Sequence, residues 1–286
     1  MNNIEIIIPA YNEEAAISLV IGEIKASLGA EVKVTVVDDG SSDHTAQAAQ
    51  NSGAQVLSHP YNIGNGASIK TALRHSTSDI VVLMDADGQH AVKEIPRLLE
   101  RIDKFDMVVG ARMNQPLFSG RGIANRIYNA FASYVTQFKV RDLTSGFRAI
   151  KRREAAKFIY LLPNEFSYPS ALTLAFLKAG RPITYVPVSC NARRAGKSKI
   201  RPLKDGVRFL VIITRIAIFF SPLRVFVPLS LASFLLGLFY YLYTFLAYHR
   251  FTNMSVFLFS NAVIIFLMGL VSEQVNQLRM EKTESE

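Results

Sequence analysis

Two aspartates one residue apart end a short apolar run in "IVVLMDADGQH", which covers residues 80–90. A buried strand has no need of such polar groups, whereas a hard divalent cation prefers carboxylate oxygens and takes its other ligands from water and phosphate. Asp85 and Asp87 would point to opposite sides of a continuing strand, but Gly88 favours a turn on which they converge. The pattern predicts a site for a metal ion that also holds a diphosphate.

Two further polar clusters follow apolar runs earlier in the chain, "PAYNEE" from Pro9 and "DDGSSD" from Asp38. Apolar runs alternate with helical patterns over the first 110 or so residues, which predicts a mostly parallel sheet with helices on both faces. The carboxyl ends of such strands lie at one edge, where ligands bind. We therefore expect the three clusters to meet there, and their crowded carboxylates to need a cation or hydrogen-bond donors.

Hydrophobic periodicity gives a coarse secondary structure for the first 190 residues. Strands are predicted at residues 4–9, 32–37, 54–58, 80–84, 106–111 and 182–189. Helices are predicted at residues 13–28, 64–75, 92–102, 122–138, 153–160 and 167–179, with a further short helix after Ser42 or Asp43. Residues 142–152, "DLTSGFRAIKR", are predicted as a loop that enters a strand.

The C-terminal part of the sequence changes character after Val225. Residues 225–248 and 251–272 carry no charge, and each run exceeds the roughly 20 residues that a helix needs to cross a bilayer. A pair of buried core helices is the alternative, but neither run has the polar stripe of a helix in a soluble protein. The sequence therefore predicts a transmembrane helical hairpin, with helices at about 225–248 and 253–273.

Basic residues are concentrated directly before the first span. Residues 193–224 contain nine lysines and arginines and one acid, close to the whole formal net charge of +9. The positive-inside rule then places residues 1–200, a globular domain, and the polar tail 276–286 in the cytoplasm. Residues 201–224 are predicted to form a basic amphipathic segment in the membrane interface, where anionic headgroups are attracted. Nucleic-acid binding is disfavoured because no aromatic platform accompanies the basic residues.

The cysteine content and the N-terminal sequence indicate the cellular compartment of the protein. The single Cys190 excludes a disulfide within the chain, which fits a reducing compartment. No signal peptide is predicted before the first strand, so we expect the C-terminal spans to provide membrane delivery. The predicted location is the inner (plasma) membrane or the endoplasmic reticulum membrane, with both termini and the globular domain on the cytoplasmic side.

The chain resembles family 2 glycosyltransferases with the GT-A fold, in particular the group of dolichyl-phosphate mannose synthase and bacterial polyprenyl-phosphate glycosyltransferases. The matching segments are "IPAYNEE", "VVDDGSSD", "NIGNGASIKTAL", "MDADGQH", "VVGAR", "DLTSGFRAI" and the two spans. The resemblance implies a Rossmann-like GT-A domain, an interfacial helix and a two-helix membrane hairpin. It implies transfer of one sugar, with inversion, from a UDP- or GDP-sugar to a polyprenyl phosphate such as undecaprenyl or dolichyl phosphate. Because the chain has no tryptophan, the Gln-x-x-Arg-Trp motif of processive synthases is absent.

The resemblance also implies roles for individual residues. Nucleotide-sugar contacts fall on Pro9, Ala10, Tyr11, Glu13, Gly64, Asp85, Ala86 and Asp87, with the base bound by Asp38 or Asp39. Asp87 and Gln89 would hold Mg²⁺ or Mn²⁺. Contacts to the acceptor phosphate fall on Arg112, Arg126, Ser145, Arg148, Arg193, Arg194 and Lys199. Asp85, Asp87, Arg112 and Asp142 form the implied catalytic set.

The sequence leaves the role of a catalytic base, the acceptor, catalysis itself and the oligomeric state open. A phosphate acceptor is already anionic and needs no strong base, so His90 and Asp142 are candidates for a base without being required. An acceptor hydroxyl of a glycerolipid or a cell-envelope glycan is an alternative and would need one. A non-catalytic module that binds lipid phosphates is a further alternative. Two short spans also allow packing between protomers as a homo-oligomer.

The acidic turn gives the first testable prediction. Asp87→Ala should abolish sugar transfer because the diphosphate loses its metal ligand, while membrane insertion stays intact. The measurement is transfer of labelled sugar to a lipid acceptor, alongside membrane fractionation of the variant. Normal turnover by the variant would contradict the metal assignment.

Overall fold

The computed structural model describes residues 3–112, 120–165, 167–189 and 221–284, together with 211, 214–215 and 217–219. The chain divides into two compact units, Met1–Leu210 and Val211–Glu286. The first unit contains a seven-stranded sheet in the order β3-β2-β1-β4-β6-β5-β7. Its strands are β1 (Ile4–Ala10), β2 (Lys33–Asp38), β3 (Gln55–Ser58), β4 (Ile80–Leu83), β5 (Met107–Arg112), β6 (Arg148–Lys151) and β7 (Ile183–Val188).

The sheet is mostly parallel, as the alternation of strands and helices predicted. Strands β1, β2, β3 and β4 run parallel to one another, and β5 runs parallel to β7. Strand β6 is antiparallel to both β4 and β5. Strand β6 lies in the segment that the sequence predicted as a loop entering a strand. Because β6 runs opposite to the parallel strands, the loop before it lies at the edge where those strands end. The mixed direction of β6 was not predicted, because strand direction depends on partners distant in sequence.

Helices connect the strands and cover the sheet. They are α1 (Glu14–Leu28), α2 (Thr45–Asn51), α3 (Asn65–His75), α4 (Ile95–Leu99), α5 (Gly120–Thr136), α6 (Arg152–Ala156) and α7 (Tyr168–Lys178). Short 3₁₀ helices occur at Val92–Glu94 and Ile159–Leu161. The continuous helix predicted at 92–102 is wrong: α4 ends at Leu99, and the chain continues in tight turns such as the bond from Ile102 N–H to the Leu99 carbonyl.

Pro9 lies where β4 stops pairing with β1. Proline has no N–H and is rare inside a sheet because it cannot donate to a neighbouring strand. Pro9 pairs with Val37 of β2, whereas β4 pairs only with residues 4–7 of β1. The strand β4 therefore ends before it reaches Pro9, and the chain can turn there. This separation opens the sheet edge at the beginning of the acidic turn.

The start of α3 packs backbone against backbone on residues 163–165. Gly66 N–H donates to the Glu165 carbonyl and Ala67 N–H donates to the Asn164 carbonyl. A Cβ at Gly66 would lie 2.0 Å from the carbonyl oxygen of Pro163, so no larger residue fits without moving the backbone. The "GNG" sequence at residues 64–66 is thus explained by close packing, which joins the segment before α7 to the helix α3.

The second unit is a helical hairpin of α8 (Leu223–Tyr248) and α9 (Asn253–Glu284). Small residues form the contact: Ser230 and Ser233 donate to the carbonyls of Ala262 and Leu258, and Gly237 packs against Leu258. Large apolar side chains such as Leu236 and Phe257 point outward and are exposed. The segments Leu223–Tyr248 and Asn253–Leu278 are long and apolar enough to cross a membrane, with mean hydropathies of 2.0 and 2.3. Small residues inside and large apolar residues outside are typical of helices packed in lipid.

Candidate active site

The acidic turn follows β4 and places its two carboxylates in different surroundings. Gly88 has a φ of 70°, a left-handed conformation that turns the chain immediately after Asp87. The side chain of Asp85 is 40% exposed. Asp87 is buried, and its Oδ1 accepts a hydrogen bond from the backbone N–H of Gln89 at 3.0 Å. The predicted turn is confirmed, and it combines an accessible carboxylate, a buried carboxylate and the exposed amide of Gln89.

His90 supports the turn from behind. The backbone N–H of Asp85 donates to Nδ1 of His90 at 3.2 Å, so Nδ1 carries no proton and Nε2 carries the proton of the neutral ring. The ring is buried and stacks on Phe147 with centroids 5.0 Å apart. Burial lowers the pKa of His90 and outweighs the charges of Asp85 and Asp87, which favour protonation. This geometry supports the structural role for His90 that the sequence left open beside a role as base.

The loops after β1 and β2 are joined to each other by side chains. Asn12 N–H donates to Ser41 Oγ at 3.0 Å, and Ser42 N–H donates to Asn12 Oδ1 at 2.9 Å. Glu13 N–H donates to Thr45 Oγ1 at 2.9 Å. These hydrogen bonds join the residues that follow β1 and β2 into one polar wall beside the acidic turn. Pro9 and Ala10 lie in β1 under this wall, with Tyr11 and Glu13 at its partly exposed rim.

The two aspartates at the end of β2 differ in what they bind. Asp39 accepts hydrogen bonds from the N–H groups of Ile63 at 3.0 Å and Gly64 at 2.8 Å, and from Nδ1 of His59 at 2.7 Å. Nε2 of His59 lies 2.9 Å from the hydroxyl of Thr71 in α3. Asp39 thus anchors residues 59–64 and α3 to the sheet. Asp38 accepts one longer bond, from Ser41 N–H at 3.3 Å, which favours Asp38 as the aspartate that contacts a base.

Arg112 and Asp142 form a bidentate ion pair at the same edge of the sheet. Arg112 ends β5; its Nε and Nη2 donate to Asp142 at 2.8 and 2.9 Å, and its backbone N–H donates at 3.2 Å. Burial alone would raise the pKa of Asp142, but the hydrogen bonds and charge of Arg112 outweigh it, and the pKa lies below its usual range. Asp142 is therefore an ionised anchor that orients the partly exposed guanidinium, and it is poorly placed to take up a proton.

A cleft open to solvent, with an empty volume of about 350 Å³, adjoins Asp85. It is lined by Asn65, Asp85, Thr144, Gly146, Ser167, Tyr168, Pro169 and Ser170. Thr144 also accepts a hydrogen bond from Nη2 of Arg112, so the ion pair stands beside the cleft wall. Of these lining residues, only Asp85 was predicted individually from the sequence as a site residue. Thr144 and Gly146 lie in the loop before β6, which contains the "DLTSGFRAI" motif. The other five come from the starts of α3 and α7, which carry no charged motif that would have indicated them.

Two residues expected to bind acceptor phosphate lie in the interior. Arg148 is fully buried, and Nη1 donates to the Pro169 carbonyl and to Thr173 Oγ1, each at 3.1 Å. Ser145 is also buried, and its hydroxyl donates to the Gly110 carbonyl at 2.6 Å. Neither side chain reaches solvent: Arg148 bonds to α7 and Ser145 bonds to the backbone of β5. We therefore infer a structural role for both in place of the expected phosphate contact.

The remaining expected phosphate ligands divide into two groups. Arg126 lies on α5 with its side chain exposed. Arg193, Arg194 and Lys199 lie outside the described residues, as does most of the predicted interfacial segment 201–224. The sheet edge therefore brings together Asp85, Asp87, Arg112 and Asp142, the set that the resemblance implied as catalytic, while the contribution of the basic segment stays a prediction.

Comparison with protein families agrees with this geometry. Residues 5–157 match the family model described as glycosyl transferase family 2. The chain belongs to this family. Residues 221–278 match the model described as the GtrB C-terminal hairpin, which identifies the apolar hairpin with a known membrane-protein module. The chain is accordingly a membrane protein with a family 2 domain.

Several curated relatives of this glycosyltransferase have names that specify a lipid phosphate. The undecaprenyl-phosphate 4-deoxy-4-formamido-L-arabinose transferase of Pseudomonas fluorescens is 29% identical, over 70% of this chain and 61% of the relative. The undecaprenyl-phosphate mannosyltransferase of Micrococcus luteus is 29% identical, over 68% of this chain and 86% of the relative. The chain thus matches less than two thirds of the length of the Pseudomonas protein.

Solved structures confirm the GT-A fold. Glucosyl-3-phosphoglycerate synthase from Mycobacterium tuberculosis, in complex with Mn²⁺, UDP and phosphoglyceric acid, superposes with a TM-score of 0.60. The match covers 76% of this chain and 78% of the synthase at 24% identity. At this identity the likeness establishes the fold of the first unit and carries no assignment of substrate.

The different roles of Asp38 and Asp39 can be tested by matched substitutions. Asp39→Asn should lower the free energy of unfolding by about 2 kcal/mol, because the amide cannot accept all three hydrogen bonds and hydrogen bonds to charged groups contribute ~1.5–3 kcal/mol each. Asp38→Asn should destabilise the protein less than Asp39→Asn, because Asp38 accepts a single long hydrogen bond, and should weaken nucleotide binding. Thermal unfolding and calorimetric titration with UDP and GDP measure both effects. Equal destabilisation by the two substitutions would contradict the division of roles.

Proposed function

We propose that the protein transfers one sugar, with inversion, from a nucleotide-sugar to a polyprenyl phosphate in the membrane. The observation that carries the proposal is the bidentate Arg112–Asp142 pair beside the cleft that begins at Asp85. An oriented guanidinium suits a phosphate, and an acidic turn suits a metal-bound diphosphate. The membrane hairpin and the names of the curated relatives support a lipid acceptor.

The residues of the acidic turn fit a divalent cation. They offer hard oxygen donors, two carboxylates and the Gln89 amide, and no group of three or more acidic, histidine or cysteine side chains with metal-site geometry occurs among the described residues. Few protein ligands suit Mg²⁺ or Mn²⁺ that is also bound by phosphate and water. Asp87 and Gln89 would hold the ion, and Asp85 would face the donor. The chemistry that a bound cation supplies there is neutralisation of charge on the departing diphosphate.

The donor would lie along the edge formed by β1, β2 and β4. Asp38, Tyr11 and Glu13 would contact the base and ribose. Pro9 and Ala10, which lie in β1 under the polar wall, would support them. Asp85 would orient the sugar towards the cleft, with His90 fixing the backbone of Asp85 from behind. As the bond from the anomeric carbon to the diphosphate breaks, positive charge develops at that carbon beside the carboxylate of Asp85, which stabilises it.

The acceptor would enter from the side of Arg112. Its phosphate oxygen is anionic, so it can attack the anomeric carbon without losing a proton to the protein. Arg112, held by Asp142, would orient this phosphate, and the exposed Arg126 would add a second contact. A lipid acceptor stays in the membrane, and anchoring of the enzyme in the same membrane raises its effective concentration.

The proposed orientation places the transferase unit on the cytoplasmic side, where nucleotide-sugars are made. The basic residues between 193 and 224 support it through the positive-inside rule. An acceptor hydroxyl, on a glycerolipid or a glycan, is less well supported. It would need a base, and His90 and Asp142 are both engaged in hydrogen bonds that hold other groups.

Direct transfer is the first measurement. Purified full-length protein in detergent with Mn²⁺, short-chain undecaprenyl phosphate and radiolabelled UDP- and GDP-sugars should move label from one donor into the organic phase. EDTA should remove the signal, because the diphosphate then loses its counter-ion. A reaction with the dephosphorylated polyprenol is the matched control and should give no product. Transfer to the polyprenol, or none to the phosphate while nucleotide-sugars bind, would contradict the acceptor.

The role of Asp142 gives a second measurement. Asp142→Asn should raise the KM for polyprenyl phosphate tenfold or more, because Arg112 loses a charged hydrogen-bond partner. A hydrogen bond to a charged group contributes ~1.5–3 kcal/mol. The kcat of the wild-type protein should show no limb from Asp142 between about pH 5 and 8, since Arg112 keeps the pKa of this carboxyl below its usual range.

The control is Asp106→Asn. Asp106 pairs with Lys151 at 3.0 Å, at the opposite edge of the sheet, and its substitution should leave the KM unchanged. A collapse of kcat in Asp142→Asn with an unchanged KM, together with loss of the acid limb of the pH profile, would identify Asp142 as a base instead.

A further inference from the structure

We infer that Ser167 and Asn65 select the sugar of the donor, by hydrogen bonds to its hydroxyl groups in the cleft beside Asp85. The inference rests on the proposed function and adds specificity-determining residues to it. Neither residue belongs to the acidic or basic motifs of the sequence. Both lie at the starts of helices, Ser167 directly before α7 and Asn65 at the first position of α3, and both line the cleft.

The lining of the cleft suits a neutral group rich in hydroxyls. Its polar side chains are one carboxylate, one amide and four hydroxyls, and no lysine or arginine is among the lining residues. A phosphate or a carboxylated sugar would meet Asp85 there without a lining cation to offset the charge. A neutral sugar instead offers hydroxyl donors and acceptors to such walls.

Ser167 has two features that its role in the fold does not explain. It precedes α7 with a φ of 87°, a left-handed conformation that glycine adopts at far lower cost. Its side chain is 2% exposed, and Oγ has no hydrogen-bond partner among the described residues. Buried hydroxyls are normally paired, so a strained serine with an unpaired hydroxyl in a cleft indicates a ligand contact.

Asn65 provides a second atom of the same kind in the cleft lining. It is the first residue of α3, and its Oδ1 is buried without a hydrogen-bond partner in the described structure. The start of α3 is fixed to the segment before α7, because the N–H groups of Gly66 and Ala67 donate to the carbonyls of Glu165 and Asn164. A ligand that binds both Asn65 and Ser167 must therefore match the positions of both oxygens.

The other cleft hydroxyls already have partners. Ser170 Oγ donates to the Leu143 carbonyl at 3.3 Å, and Tyr168 OH donates to the Gly146 carbonyl at 3.5 Å. Thr144 Oγ1 accepts from Arg112. Among the lining residues, Ser167 and Asn65 thus carry the buried oxygens that are left for a ligand, and the hydroxyl pattern of the sugar would determine whether both are satisfied.

Binding of nucleotide with and without the sugar tests the inference. The variants are Ser167→Gly, which keeps the left-handed backbone and removes the hydroxyl, and Asn65→Ala. Calorimetry on full-length protein in detergent with Mn²⁺ would use UDP, GDP, UDP-glucose, UDP-N-acetylglucosamine and GDP-mannose. We expect each variant to bind the preferred nucleotide-sugar about tenfold more weakly and the matching nucleoside diphosphate within about twofold of wild type. Ser18→Ala, on the exposed face of α1, is the matched control and should change neither affinity.

The same variants should lose discrimination in transfer. The ratio of kcat/KM between the preferred donor and the other two should fall about tenfold, while the melting temperature of Ser167→Gly stays equal to or above that of wild type. Equal weakening of nucleotide and nucleotide-sugar, or unchanged affinity for both, would overturn the inference alone. Failure of the wild-type protein to bind any of the nucleotide-sugars would instead overturn the proposed function.

Discussion

The main constraint on this structure is electrostatic repulsion between the carboxylates that follow parallel strands and lie together at one edge of the sheet. The fold must offset this repulsion. Strands β1, β2 and β4 end side by side, so the polar residues that follow them cannot separate. The fold compensates part of this charge internally. Asp39 is surrounded by three hydrogen-bond donors, Asp142 is paired with Arg112, and Asp87 accepts a backbone N–H. Asp85 keeps an accessible carboxylate, and the remaining negative charge makes the edge receptive to a cation that carries a diphosphate.

The compensation also fixes the geometry of the site. Some of these buried polar contacts join segments that are far apart in sequence: Asp39 connects β2 with residues 59–64, and Arg148 connects β6 with the start of α7. A buried guanidinium without hydrogen bonds would be strongly destabilising, so the carbonyls around Arg148 must stay in place. The walls of the cleft are therefore held by the interior of the protein, and only a few side chains remain to contact a substrate.

The membrane unit follows a different physical rule. Burial of apolar surface cannot drive helix association within lipid, so close packing of small residues and a few interhelical hydrogen bonds do so. Ser230, Ser233 and Gly237 supply these contacts in the hairpin. The large apolar side chains are left for the lipid. The two units thus divide the work that the proposed reaction requires, one providing polar recognition and the other anchoring.

The sequence by itself determined most of the strands and helices, the acidic turn and the hairpin, because strand ends, Gly88 and the uncharged runs are local signals. It also indicated that Arg112 and Asp142 belong to one site, through the resemblance of their motifs. Only the tertiary structure distinguished Asp38 from Asp39, because both follow the same strand and differ in the partners that residues 59–64 bring. Tertiary packing likewise placed Arg148 in the interior and brought Asn65 and Ser167 to the lining of one cleft. These outcomes depend on contacts between residues up to a hundred positions apart, and no local pattern of residue types encodes them.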